Sequence, residues 1–215
     1  MAAEIELGPD QTVAGRPFSD PAHTRQDEEA LRQLLAHERE RARAWVDDRV
    51  EGRKDVVLRE TDPAGRRHLL VVPDTRALLE AGSPTVVGFF GRPRADADHG
   101  ALFELEEELV VGMREYAAGG LLSYYDVELV KGAYGNLILF ATPEGPARWR
   151  ENPVHHRAVE ISPRNYHEIR LHLGTLSGRL LDSGTLRLTR TRYLDYSEPG
   201  VWRAVRRLSE PESHG

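Results

Sequence analysis

Apolar and polar positions change rhythm several times along these 215 residues, and each change marks an element. Between residues 24 and 50, Leu31, Leu34, Leu35, Ala42, Trp45, Val46 and Val50 recur at helical spacing, with Glu and Arg between them. That spacing predicts an amphipathic helix whose apolar face must be buried on the body of the protein or on another subunit. Residues 55–60 and 68–72 read as two strands joined by the turn Asp62-Pro63-Ala64-Gly65. Pro73-Asp74 caps a short helix over 75–81, which stops at Gly82. The continuous apolar run over 85–90 suits a central strand. Asp98 then caps a helix reaching Ala118, with Leu102, Leu105, Leu109, Val110, Met113 and Tyr116 as its buried stripe and Gly119-Gly120 as its stop.

Strands over 121–129 and 136–141 flank a turn at 130–135 and form a second hairpin. Pro143-Glu144 opens a helical region that Pro153 kinks or restarts. Beyond it, Ile169, Leu171 and Leu173 alternate with Arg170, His172 and Gly174, which favours a strand over a helix. The β-forming run over 185–194 is its expected partner. Residues 201–208 read as a short basic helix, and the Gly- and Pro-bearing start as a flexible arm. The order β-α-β-β-α-β over 84–195 predicts an α+β ferredoxin-like sandwich with an antiparallel sheet. The expected organisation is an arm over 1–23, a helix–hairpin extension over 24–82, a core over 83–197 and a tail over 198–215.

Composition removes several classes of function. No apolar run approaches the ~18 residues of a membrane span, and the start has no basic-then-apolar secretory pattern. Cysteine is absent, which excludes disulfides, thiolate metal sites and a Cys nucleophile and fits a cytoplasmic setting. The net charge of −6 is uneven: residues 145–195 carry nine Arg against five Asp and Glu. Such a region can hold a small anion or be complemented by the acidic helices of the same chain. Without a concentrated Lys/Arg stripe or interleaved aromatics, an acidic chain argues against nucleic acid. Phosphate-binding glycine loops and nucleophile-elbow serines are missing too.

The element order, the entry Gly119-Gly120-Leu121-Leu122-Ser123 to the second strand, and Trp149 in the second helical region carry a resemblance. Over residues 85–196 the chain resembles the dimeric α+β barrel superfamily, especially the antibiotic-biosynthesis-monooxygenase type. The resemblance implies a homodimer in which two sheets pack face to face, each with its helices enclosing an apolar pocket. Members include cofactor-free oxygenases of phenols, heme-degrading oxygenases, heme-using peroxidases or dehydratases, and binding proteins. Heme-degrading members use an Asn on the first strand, a Trp and a His on the second helix. Trp149 with His155 or His156 would supply two of these, whereas residues 85–90 hold no Asn.

Candidate chemistry concentrates in the same region, where His155, His156, His167 and His172 fall within eighteen positions. Histidine transfers protons near neutral pH and ligates iron. His155 and His156 point about 100° apart on a helix, so at most one of them is expected to face a pocket, as acid–base group or axial heme ligand, and either can sit on the surface. Arg170 would clamp a propionate or substrate carboxylate. Tyr124 and Asp126 share a strand face and would act beside it as phenol and base. Trp149, His172 and Phe89 would line the substrate. His156 and Glu160 have i,i+4 spacing but no third ligand at diagnostic spacing, so no metal site made of protein groups alone is expected. These residues point to a tailoring enzyme, oxygenase-like and heme-dependent or cofactor-free, on a small apolar or aromatic substrate. The alternative is a non-catalytic ligand-binding or assembly protein.

Overall fold

A computed structural model describes residues 4–49, 52–129, 133–198 and 200–208. The expected turn at 130–132 and polar end at 209–215 lie outside the described residues. Along the chain run β1 (Ile5–Leu7), a 3-10 turn (Pro17–Ser19), α1 (Pro21–Asp47), β2 (Lys54–Thr61), β3 (Arg67–Asp74) and α2 (Thr75–Glu80). They are followed by β4 (Thr85–Pro93), α3 (His99–Ala117), β5 (Leu121–Glu128), β6 (Tyr134–Phe140), α4 (Gly145–Arg150) and α5 (Pro153–Asn165). β7 (Tyr166–Leu176), β8 (Leu186–Asp195) and β9 (Trp202–Arg207) complete the described elements.

All nine described strands belong to one sheet, ordered β1-β9-β8-β7-β4-β6-β5-β3-β2. Neighbours are antiparallel except β1, which runs parallel to β9. The four-stranded ferredoxin-like sandwich expected from element order is therefore corrected to a larger mixed sheet with helices on both faces. The reason lies in β3. Leu69, Leu70, Val71 and Val72 are all buried, so both faces of that strand need cover. It gains this by pairing with β5 and extending the sheet. At the other side β8 and β9 extend it beyond β7.

Two further expectations change at that end. The stretch read as a flexible arm supplies β1 and the 3-10 turn. The stretch read as a basic helix is the strand β9, in which Ala204 and Arg206 are buried while Arg203 and Val205 are half-buried. A period of two is hidden there by a buried arginine, which charge patterning alone counts as surface.

Asp20 caps α1 at the Ala22 amide with Pro21 in the first turn. α1 lays Leu31, Leu34, Leu35, Ala42 and Trp45 on one sheet face, against Leu70, Val72, Val86, Phe90, Leu137 and Leu139. Approach is closest at Gly88, where a Cβ would lie 2.7 Å from Leu31 Cδ1. The opposite face carries α3 and α4, with Leu109, Met113 and Trp149 packed on Leu69, Val71, Tyr124, Ile138 and Phe140. Asn152 caps the Val154 and His155 amides, so Pro153 starts α5 as a new helix rather than kinking α4. The ambiguous stretch after it is strand β7.

Candidate functional site

The residues singled out in sequence divide between the two sheet faces. On the α3 face, Asp126 of β5 lies opposite Asn136 of β6. Asn136 Nδ2 donates to Asp126 Oδ1 at 2.6 Å and to Tyr124 Oη at 2.7 Å. The Glu106 carboxyl of α3 stands against Asp126 and pairs with Arg67 of β3 at 3.1 Å. Burial, then the charge of Glu106, pushes Asp126 well above the usual carboxylate range, and burial raises Glu106 as well. Each carboxyl therefore disfavours ionisation of the other. Burial and Asp126 likewise push the Tyr124 phenol up, so Tyr124 stays protonated.

Nearby, His155 packs edge-on to Trp149 at 6.0 Å, with its Nδ1 buried and unpartnered. Burial, reinforced by His156 and Arg150, lowers it to about 4, which keeps the imidazole neutral. His156 faces outward. Phe89 meets Tyr166 edge-on at 5.6 Å in the same layer.

Arg170 and His172 are elsewhere. Phe90 pairs with Arg170 and Gly88 with His172, which turns both toward α1. Arg170 Nε and Nη2 donate to Asp27 at 2.5 and 2.9 Å. His172 Nε2 lies 2.9 Å from the same carboxylate and Nδ1 2.9 Å from Thr191 Oγ1. Burial would raise Asp27, but Arg170 and His172 outweigh it and hold the carboxyl below its usual range. This satisfied network fastens α1 to the sheet. It also means that His155 and Arg170, on opposite faces, do not fit a single heme as axial ligand and propionate clamp.

The α1 face also holds a cleft of about 450 Å³ between α1 and the β2–β3 hairpin. Leu34, Val127 and Leu129 give it an apolar wall, while His37, Arg41, Glu60, Asp62, Arg66, His68 and Tyr125 bring polar groups together. Tyr125 Oη lies 2.8 Å from His68 Nδ1, and His68 Nε2 lies 3.4 Å from Asp62 Oδ2. His37 stacks on His68 at 5.7 Å and is 3.6 Å from Glu60, which also accepts from Arg41 at 2.5 Å.

Behind this cluster Glu38 is wholly buried. A β-bulge at the start of β5 brings both Leu122 and Ser123 to the α1 face. Ser123 favours the ionised form of Glu38, yet neither Glu38 oxygen nor Ser123 Oγ has a well-formed hydrogen bond. Burial raises Glu38 to about 7. Burial and the Glu38 and Glu60 carboxylates push the Tyr125 phenol above its usual range, so it works as a hydrogen-bond donor rather than a phenolate.

Sequence reading misses this cluster. Alternation along β5 predicts that only one of Tyr124 and Tyr125 is interior, but the sheet is covered on both faces and both are buried. The available signal is Glu38, an acid standing in the apolar helical stripe between Leu35 and Ala42. His37 and His68 carry no diagnostic spacing. Among the described residues no group of three or more His, Cys, Asp or Glu is arranged to hold a metal, and no helix is long and apolar enough to cross a membrane. Comparison of the chain with protein-family models, curated proteins and solved structures finds no match.

Proposed function

We propose that the protein is a small-molecule enzyme working by proton transfer in the α1–hairpin cleft, on an apolar or aromatic substrate bearing a weakly acidic group. The carrying observation is the chain Tyr125–His68–Asp62 at 2.8 and 3.4 Å, opening on a cleft large enough for a small ligand. Asp62 is held at about 2 by the Arg66 backbone amide first, then by Arg66 and His68 side-chain hydrogen bonds, so it remains a carboxylate. A fixed carboxylate orients the imidazole, and the imidazole orients the phenol, the positioning logic of a base held by a third group. Leu34, Val127 and Leu129 supply the apolar seat. This reading moves acid–base work from His155 to the His68–Tyr125 pair, in which the phenol oxygen takes the substrate proton as its own passes to His68 Nδ1, and it needs no heme. The second reading is a ligand-binding protein that uses the same cleft without turnover; the two carboxylate–arginine pairs inside it, which offer fixed charge without a proton to transfer, favour that.

The test uses two probes. Ring opening of 5-nitrobenzisoxazole reports a positioned base, and quenching of 1-naphthol fluorescence reports occupancy. Acceleration over buffer that falls about 10²-fold in His68→Ala, with circular dichroism unchanged, supports the enzyme. Naphthol binding weakened by Leu34→Glu without any acceleration in the native protein supports the binder. Naphthol binding indifferent to both substitutions overturns the cleft as the site.

A further inference from the structure

The hydrogen-bonding capacity left over in the cleft states which ligand it takes. Its acceptors are largely used. Asp62 Oδ1 accepts from the Ala64 and Arg66 amides at 2.9 Å each, and Oδ2 from Arg66 Nε at 2.6 Å with His68 at 3.4 Å. Glu60 Oε2 accepts from Arg41 Nη2 and lies 3.6 Å from His37 Nε2, and Oε1 is the acceptor left without a hydrogen bond among the described residues. Its donors are largely unused. Arg41 engages only Nη2, leaving Nε and Nη1 without a hydrogen bond among the described residues, and Arg66 Nη1 is likewise unengaged. A guanidinium carries five N–H groups in a planar fork suited to a carboxylate.

The two arginines come from different elements. Arg41 comes from α1 and Arg66 from the end of the hairpin, and both line the cleft. Their side chains are 39% and 40% exposed, so a ligand can reach them without unfolding either element. Each arginine is paired with one carboxylate, Arg41 with Glu60 and Arg66 with Asp62. Below the arginines the wall is Leu34, Val127 and Leu129.

We infer that the cleft recognises a monocarboxylate on an apolar body, its head on the free N–H groups of Arg41 and Arg66 and its body on that wall. The inference rests on the cleft being the ligand site proposed above. It adds the charge of the ligand and the residues that read it.

Three probes of one shape decide it: 1-naphthoate, 1-naphthalenemethanol and 1-naphthylmethylammonium, titrated by calorimetry against the whole protein. The expected result is tightest binding of naphthoate. Its affinity should fall at least tenfold in Arg41→Gln and in Arg66→Gln and return in part in Arg41→Lys, while the neutral alcohol changes less than twofold. Because Arg66→Gln disturbs the hairpin turn, the response of Arg41→Gln decides where the two variants differ. Equal or tighter binding of the ammonium, or naphthoate binding indifferent to Arg41, overturns the inference while leaving the cleft a ligand site. Failure of all three probes to bind overturns the site itself and the inference with it.

Discussion

Asp27 Oδ2 lies 2.9 Å from His172 Nε2 and 2.5 Å from Arg170 Nε, so one carboxylate of α1 meets two basic groups of β7. The residues are 143 and 145 positions apart in sequence. With Asp27 and His172 buried and Arg170 half-buried, the network is a fastening between helix and sheet rather than a solvent-screened pair.

Removing one partner of such a network leaves a buried charge uncompensated. Asp27→Ala should cost about 3–5 kcal/mol of stability, read as a lowered midpoint in urea. Asp27→Asn keeps the shape and part of the hydrogen bonding and should cost less. A loss below about 1 kcal/mol for Asp27→Ala would place the network among exposed pairs of small worth.

Gly88 and Leu31 set how closely α1 rides on β4. A Cβ at Gly88 would stand 2.7 Å from Leu31 Cδ1 and 3.1 Å from Cδ2, and Leu31 is fully buried with little room to move. Gly88→Ala should destabilise by about 1–3 kcal/mol. The same substitution should weaken 1-naphthol binding, because a displaced α1 moves Leu34 and His37 in the cleft wall. Full stability and unchanged binding would show that the helix yields locally at no cost.

Periodicity made the local elements legible, because caps and alternation act over a few residues. The α1 stripe, both hairpins, the α5 restart at Pro153 and the alternation of β7 all announce themselves this way. What periodicity does not encode is which strand edges meet. Nothing local to residues 69–72 says that β3 pairs with β5 except their unbroken apolarity. The dense histidines of 155–172 were visible, but the sheet separates them: His155 points to α3 and α4, His172 to α1. The cleft cluster joins residues 37, 62, 68 and 125 through tertiary packing alone, so no motif revealed it.

Glu38 gives stability a dependence on pH. Its usual value of 4.5 rises to about 7 on burial. Between these values the unfolded chain has released its proton and the native state has not, so the contribution of Glu38 to native stability falls as pH rises from about 4.5 to about 7 and is level above that, opposite in sign to the contribution of His155. The full shift corresponds to about 3 kcal/mol. Glu38→Gln should abolish this decline and leave the variant more stable than the native protein at pH 8. Parallel pH profiles for the two proteins would show that Glu38 is already ionised in the native state.

His155 acts at the acidic side with the opposite sign. Its usual value of 6.5 falls to about 4. As pH falls below 6.5 the unfolded chain takes up a proton that the buried imidazole refuses, so stability is lost progressively down to about pH 4. The shift again corresponds to about 3 kcal/mol at most. His155→Phe removes the titrating ring and the orphaned Nδ1 while keeping an aromatic surface for Trp149. Chemical denaturation at pH 7 and pH 4.5 separates the effects. The variant should match or exceed the native protein at pH 7, and its advantage should grow by about one or more kcal/mol at pH 4.5. An advantage that is the same at both pH values would mean that His155 takes its proton normally in the folded state, and would restore it as an accessible acid–base group on the α3 face.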